Sequence, residues 1–132
     1  MNILETQWWS LCVPPEWWAE QDEESIVVGD NDDVGCIEVS TLCRDDGDFS
    51  AAEVKAIAAE QHEVQREWQA VSLADQDGVY CSFTEEDAAV REWYLGCGSL
   101  LLFITYSCDL ENLGLDDAAV DEILNTLVME PI

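Results

Sequence analysis

Apolar and polar positions change their period along the chain, and those changes mark its elements. WWSLCV, over 8–13, is a short apolar run stopped by Pro14 and Pro15; it predicts a strand, and PPEWW then predicts a turn that delivers Trp17 and Trp18. Residues 25–28 and 34–42 predict two more strands joined through GDNDD, which has the composition of a tight, charged turn. In the second of these, Ile37, Val39 and Thr41 alternate with Cys36, Glu38 and Ser40, a period of two. At Ser50 the period lengthens. Ser50 and Glu53 make a capping box, Phe49 can staple against Val54, and Val54, Ile57, Ala58, Gln61, Val64, Gln65 and Trp68 share one helical face. Four strand-like runs follow, over 69–74, 79–84, 90–96 and 99–108, and their short connections require antiparallel neighbours. SLLLFITYSC is apolar on both faces, which places it centrally with cover on each side. A closing helix takes Asp116 as its cap, Leu115 as a staple to Val120, and a stripe of Val120, Ile123, Leu124 and Leu127.

The order is three strands, a helix, four strands and a helix, with no internal repeat, low-complexity tract or linker. In 132 residues this predicts one layered α+β domain over 1–132, an antiparallel sheet of six to seven strands with helices packed on its faces. Charge then narrows the function. Thirty acidic residues face Arg44, Lys55, Arg66 and Arg91, a net charge of −26. Such a surface repels phosphate backbones and anionic lipid heads, so nucleic-acid and membrane binding are disfavoured, while basic partners and divalent cations are attracted. The first residues, MNILETQWWS, lack the basic residues and apolar run of a secretory signal, and the apolar stretch 100–104 is too short for a bilayer. A cytoplasmic location is the expectation. There the six cysteines are expected as free thiols; none lies in a C-x-x-C pair, and Cys12, Cys81, Cys97 and Cys108 fit small core side chains. In so negative a protein thiolates are disfavoured, so their pKa values are expected to move upward.

The segment PPEWW after the first strand, the long helix, the Gly-centred strand pair REWYLGCGSLLLFITYSC and the closing ILNTLV resemble the PsbP/Mog-like superfamily. The resemblance spans nearly the whole chain. It implies an α/β/α sandwich, and a binding or assembly role of the kind that superfamily hosts: a photosystem subunit, a binder of a nuclear-transport GTPase, and chaperones of type VI secretion effectors.

Candidate chemistry points the same way. His62, the one histidine, lies on the rim of the first helix's apolar face, with no G-x-S-x-G elbow or similar nucleophile setting for it to serve. GCGS at 96–99 opens no helix, so it reads as a hairpin turn and not a phosphate cradle. Taking Asp30 as the first position of a calcium loop puts Gly35 at the sixth, but Val34 and Thr41 then stand where ligands are needed. The expectation is no enzyme, no cofactor and no dedicated metal site. Trp68 and Trp93 fit the core. Trp8/Trp9 and Trp17/Trp18 are adjacent pairs, and in an extended chain one member of each points away from the core. The candidate partner-binding residues are therefore Trp9, Trp17 and Trp18 with Asp30, Asp32, Asp33, Asp45, Asp46 and Asp48. They predict a protein-binding module, a chaperone or adaptor for a basic or partly apolar partner, acting as a monomer or homodimer. The alternatives are an acidic immunity protein that masks a cationic toxin or nuclease and, third, a weak divalent-cation binder.

Overall fold

A computed structural model describes residues 2–21, 25–32, 34–44, 47–60, 67–74 and 76–129. Among them the elements run β1 (Asn2–Glu5), β2 (Trp9–Val13), β3 (Trp17–Gln21), β4 (Ser25–Asp30), β5 (Gly35–Cys43), α1 (Ala51–Glu60), β6 (Gln69–Leu73), β7 (Gln76–Glu85), β8 (Ala88–Cys97), β9 (Leu100–Asp109), a 3-10 turn at Leu110–Asn112, α2 (Asp117–Leu124) and β10 (Val128–Met129). The chain is an α+β fold dominated by antiparallel strands. The main sheet has seven, ordered β3-β4-β5-β9-β8-β7-β6. The run that is apolar on both faces, β9, lies in the middle, and Leu100, Leu101, Leu102 and Ile104 are all buried.

Two cores flank this sheet. On one face, Val54 and Ala58 of α1 pack with Phe49, Val79, Tyr94 and Leu101. The helix begins as expected: the Glu53 amide donates to Ser50 Oγ at 3.1 Å, and the Ser50 amide donates to Glu53 Oε1 at 3.4 Å. Gln61, Val64 and Gln65 of the expected helical face, and His62, lie outside the described residues. The opposite face carries the larger core. There the expectation of helices alone is corrected, because a small second sheet, β1-β2-β10, shares that face with α2. Trp9, Leu11 and Val13 of β2 and Val120, Ile123 and Leu124 of α2 join one cluster with Leu95, Leu102 and Ile104. Each such side chain, fully buried, contributes about 1.5–3 kcal/mol.

Three details of the sequence reading change. The turn in PPEWW closes by Trp17, whose amide donates to the Pro14 carbonyl at 3.0 Å, and Trp17 and Trp18 then open the edge strand β3 instead of belonging to a loop. Leu115 is 67% exposed and staples nothing. Asp116 precedes α2, but its side chain caps no amide there.

The described arginines are used internally. Arg44 pairs with Glu53 at 2.6 Å and lies over the Phe49 ring. Arg91 pins α2 to the sheet, donating to Tyr80 Oη at 2.9 Å and to Asp121 Oδ1 at 2.8 Å, with Asp117 at 3.5 Å and the Trp93 ring beneath it. Arg91→Met is expected to cost about 1.5 kcal/mol, a fall of roughly 5 °C in melting temperature. Thermal melts at low and high salt check this, with the wild-type advantage shrinking as salt screens the pairs.

Candidate partner-binding site

In a strand successive side chains take opposite faces, so one member of each tryptophan pair is buried by geometry alone. Trp9 and Trp17 are the inward ones, 2% and 7% exposed. Trp9 Nε1 donates to Thr41 Oγ1 across to β5 at 3.1 Å. Both are core residues, which corrects their place among the surface candidates. Trp18 points the other way and is 38% exposed, while Trp8 and Trp68 are half-buried and Trp93 is buried.

Trp18 is nonetheless held in place. It faces Gly29 across the β3–β4 ladder, and a Cβ on Gly29 would lie 2.6 Å from indole Cε2. The ring therefore lies flat on backbone that only glycine leaves bare. Its Nε1 donates to the Asp30 carbonyl at 3.1 Å. The ladders carry this row onward from Gly29 to Cys36 and Ser107, and the neighbouring row runs Glu20, Val27, Glu38 and Thr105. Both rows share the sheet face that α1 covers, but α1 lies over β7 and β8. Over β3, β4 and β5 that face is left open by the described residues, with Glu20 and Glu38 exposed. A shallow depression of about 410 Å³ adjoins Trp18, lined by Cys36, Ala88, Ser107 and Asp109 among others. Burial pushes the Cys36 thiol up from its ordinary value, against a lowering hydrogen bond from Ser107. Burial likewise raises Cys97 and Cys108. No disulfide joins any of the six cysteines.

Next to Trp18, on the other side of the sheet, lies a group of acids. Asp30 is 6% exposed, not the solvated carboxylate its turn sequence suggests. Its Oδ1 accepts from the Val34 amide at 2.8 Å and closes the β4–β5 turn, while its Oδ2 is buried and receives no donor. The Asp30 and Asp116 side chains lie close enough to interact. Two carboxyls form a hydrogen bond only if one of them carries a proton. Burial, and then the contact with Asp30, raise Asp116 to about 6. Tyr106 adds a donor, its hydroxyl reaching Asp116 Oδ2 at 2.8 Å. Gly35 makes this possible, because a Cβ there would overlap the Tyr106 phenol. Its φ is not left-handed, so Gly35 is a seat for a ring and not the pivot of a calcium loop.

Of the acidic candidates, then, Asp30 and Asp32 share the β4–β5 turn. Asp48 is exposed beyond the far end of β5, a nine-residue strand that separates them by roughly 27 Å. Asp33, Asp45 and Asp46 lie outside the described residues. Sequence reasoning missed Tyr106 and the pairing role of Asp116, since neither has a motif. No helix among the described residues is long and apolar enough to cross a membrane.

No protein-family model and no curated protein matches this sequence. Solved structures do. A crystal structure from Bacteroides thetaiotaomicron matches with a TM-score of 0.72 at 18% identity, covering 93% of this chain and 45% of that one, so this chain spans less than half of that protein. LpqN of Mycobacterium tuberculosis, described as involved in cell envelope biogenesis, matches at 0.62 and 17% identity, over 93% of this chain and 83% of that one. The solution structure of the cyanobacterial PsbP (CyanoP) of Synechocystis sp. PCC 6803 matches at 0.60 and 12% identity, over 92% and 86%. At these identities the likeness is one of architecture, and the architecture is PsbP-like.

Proposed function

We propose that this chain is a non-catalytic protein-binding module that holds a basic partner on the open strands β3, β4 and β5. The observation that supports it is Trp18. A tryptophan seated on a glycine, hydrogen-bonded through its indole nitrogen and left 38% exposed is a rigid aromatic anchor of the kind that concentrates binding energy. Glu20 and Glu38 in the adjoining row and a net charge of −26 favour a cationic partner and speed its approach. In this reading α1 and α2 are the outer layers of a sandwich, the open half-face is the working surface, and the protein acts in the cytoplasm as a chaperone or adaptor.

Isothermal titration against a panel of basic peptides tests it. Binding is expected to weaken steeply with ionic strength, and Trp18→Ala is expected to lower affinity about tenfold while leaving the fold intact. Gly29→Ala, which denies the indole its seat, is expected to do the same. Binding that ignores both salt and Trp18 would refute the reading.

A further inference from the structure

We propose that Asp30 and Asp116 form the socket for a basic side chain of the partner, which supplies the donor that the buried Asp30 Oδ2 lacks. The inference rests on the protein-binding reading above and names the atoms that receive the cation. Asp30 is only 6% exposed, and its Oδ2 is a buried acceptor with no donor of its own. Leaving such an oxygen unsatisfied is costly, so the site holds either a proton or another positive group. Asp116 is only half-buried and gives a cation access from solvent.

The surroundings favour the exchange. Asp32 faces the pair from the β4–β5 turn, and Asp117 follows Asp116 on α2. From β9 come Tyr106 and Cys108, and on the neighbouring strand β8 Arg91 stands opposite Tyr106, already paired with Asp117 and Asp121 of α2. Apart from Arg91, whose charge those two acids take up, these groups are neutral or negative, so the field draws in a further positive group and opposes ionisation of the bare pair. A guanidinium offers a planar fork of donors that suits two neighbouring carboxylates. A divalent metal ion fits poorly: among the described residues no three His, Cys, Asp or Glu side chains are grouped to hold one, and such an ion needs about six oxygens. Trp18 is bonded to the Asp30 carbonyl, so the aromatic anchor and the socket sit at the same strand end on opposite faces of the sheet, and the partner reaches both around that end. The displaced proton passes to solvent, and one positive charge enters for each that leaves.

The test is titration of an oligo-arginine peptide into the full chain at about pH 5.5 and about pH 8, each in two buffers of different ionisation enthalpy. With Asp116 near 6, the peptide should release most of one proton at the lower pH and none at the higher. Affinity should rise about fourfold between them. Asp116→Asn should abolish the release and weaken binding about tenfold at the higher pH, against about twofold for Glu60→Gln, which removes one charge elsewhere. Asp116→Asn behaving like Glu60→Gln, or proton release surviving in it, overturns the socket. Release of the same proton by Ca²⁺ alone also overturns it, in favour of a metal. Peptide binding that depends on salt and Trp18 but releases no proton removes the socket and leaves the protein-binding reading standing. No binding at all removes both.

Discussion

Replacing Gly35 with alanine is expected to lower stability by about 3 kcal/mol, roughly 10 °C in melting temperature. The added methyl would overlap the Tyr106 hydroxyl and lie 2.7 Å from both Tyr106 Cζ and the Ser107 carbonyl oxygen. Neither neighbour can give way cheaply. Tyr106 is 3% exposed within the larger core, and Gly35 is held in register opposite Cys108 in the β5–β9 ladder. A shift of β5 breaks ladder bonds at the middle of the sheet, and a shift of the phenol takes its hydroxyl from Asp116. Because that hydrogen bond lowers Asp116 against the raising effect of burial, its loss should move the Asp116 titration further upward. Thermal melts and a carboxyl-detected NMR titration read the two effects separately. An unchanged melting temperature would show that the Tyr106 ring has room to spare, contrary to the close packing described.

The parts of this fold that were legible in the sequence are those whose local pattern agrees with their tertiary role. β5 alternates because one of its faces meets the core. β9 is apolar throughout because it is fourth of seven strands with cover on both sides. Ser50 and Glu53 bond to one another within a single turn, so their spacing alone announces the helix. What stayed hidden is held by distant partners. β10 is two residues long and exists through pairing with Ser10 and Trp9 of β2. β1 likewise finds its strand geometry against β2. β3 begins two residues after a proline pair, where the turn signal dominates.

The site divides along the same line. Adjacent tryptophans imply one inside and one outside, but which of Trp17 and Trp18 is outside depends on Gly29 across the ladder. Nothing local to Asp116 reveals that its carboxyl meets Tyr106 and Asp30. Helix-start logic assigned it a cap instead, and the stronger claim of a buried phenol won. An acid-rich turn also disguised Asp30, which was one aspartate among several until its burial singled it out.

The Asp30–Asp116 pair carries a stability consequence with the reverse of the usual carboxylate sign. Asp116 titrates near 6 in the folded protein against an ordinary 3.8. Its proton therefore stabilises the fold fully below about pH 4, and that contribution is lost as the pH rises through about 6. Above that, two carboxylates face one another with one oxygen of the pair buried and undonated. Asp116→Asn is expected to make the protein more stable at about pH 7.5, by about 2 kcal/mol: the rise from 3.8 to about 6 corresponds to about 3 kcal/mol, reduced because the group is partly solvated. The amide keeps an oxygen to accept from Tyr106 and brings an N–H toward Asp30, doing permanently what the proton on Asp116 does only in acid. Urea denaturation from about pH 5 to about pH 7.5 should then fall for the wild-type chain and stay nearly level for the variant. Carboxylates near their ordinary values are already ionised across that range, so their mutual repulsion adds little slope of its own. A variant less stable than wild type at the upper end would mean that no proton bridges the two side chains. If the gain appears, an arrangement that weakens the free protein at neutral pH is one that a bound cation can relieve, and stability given up there is recovered on binding.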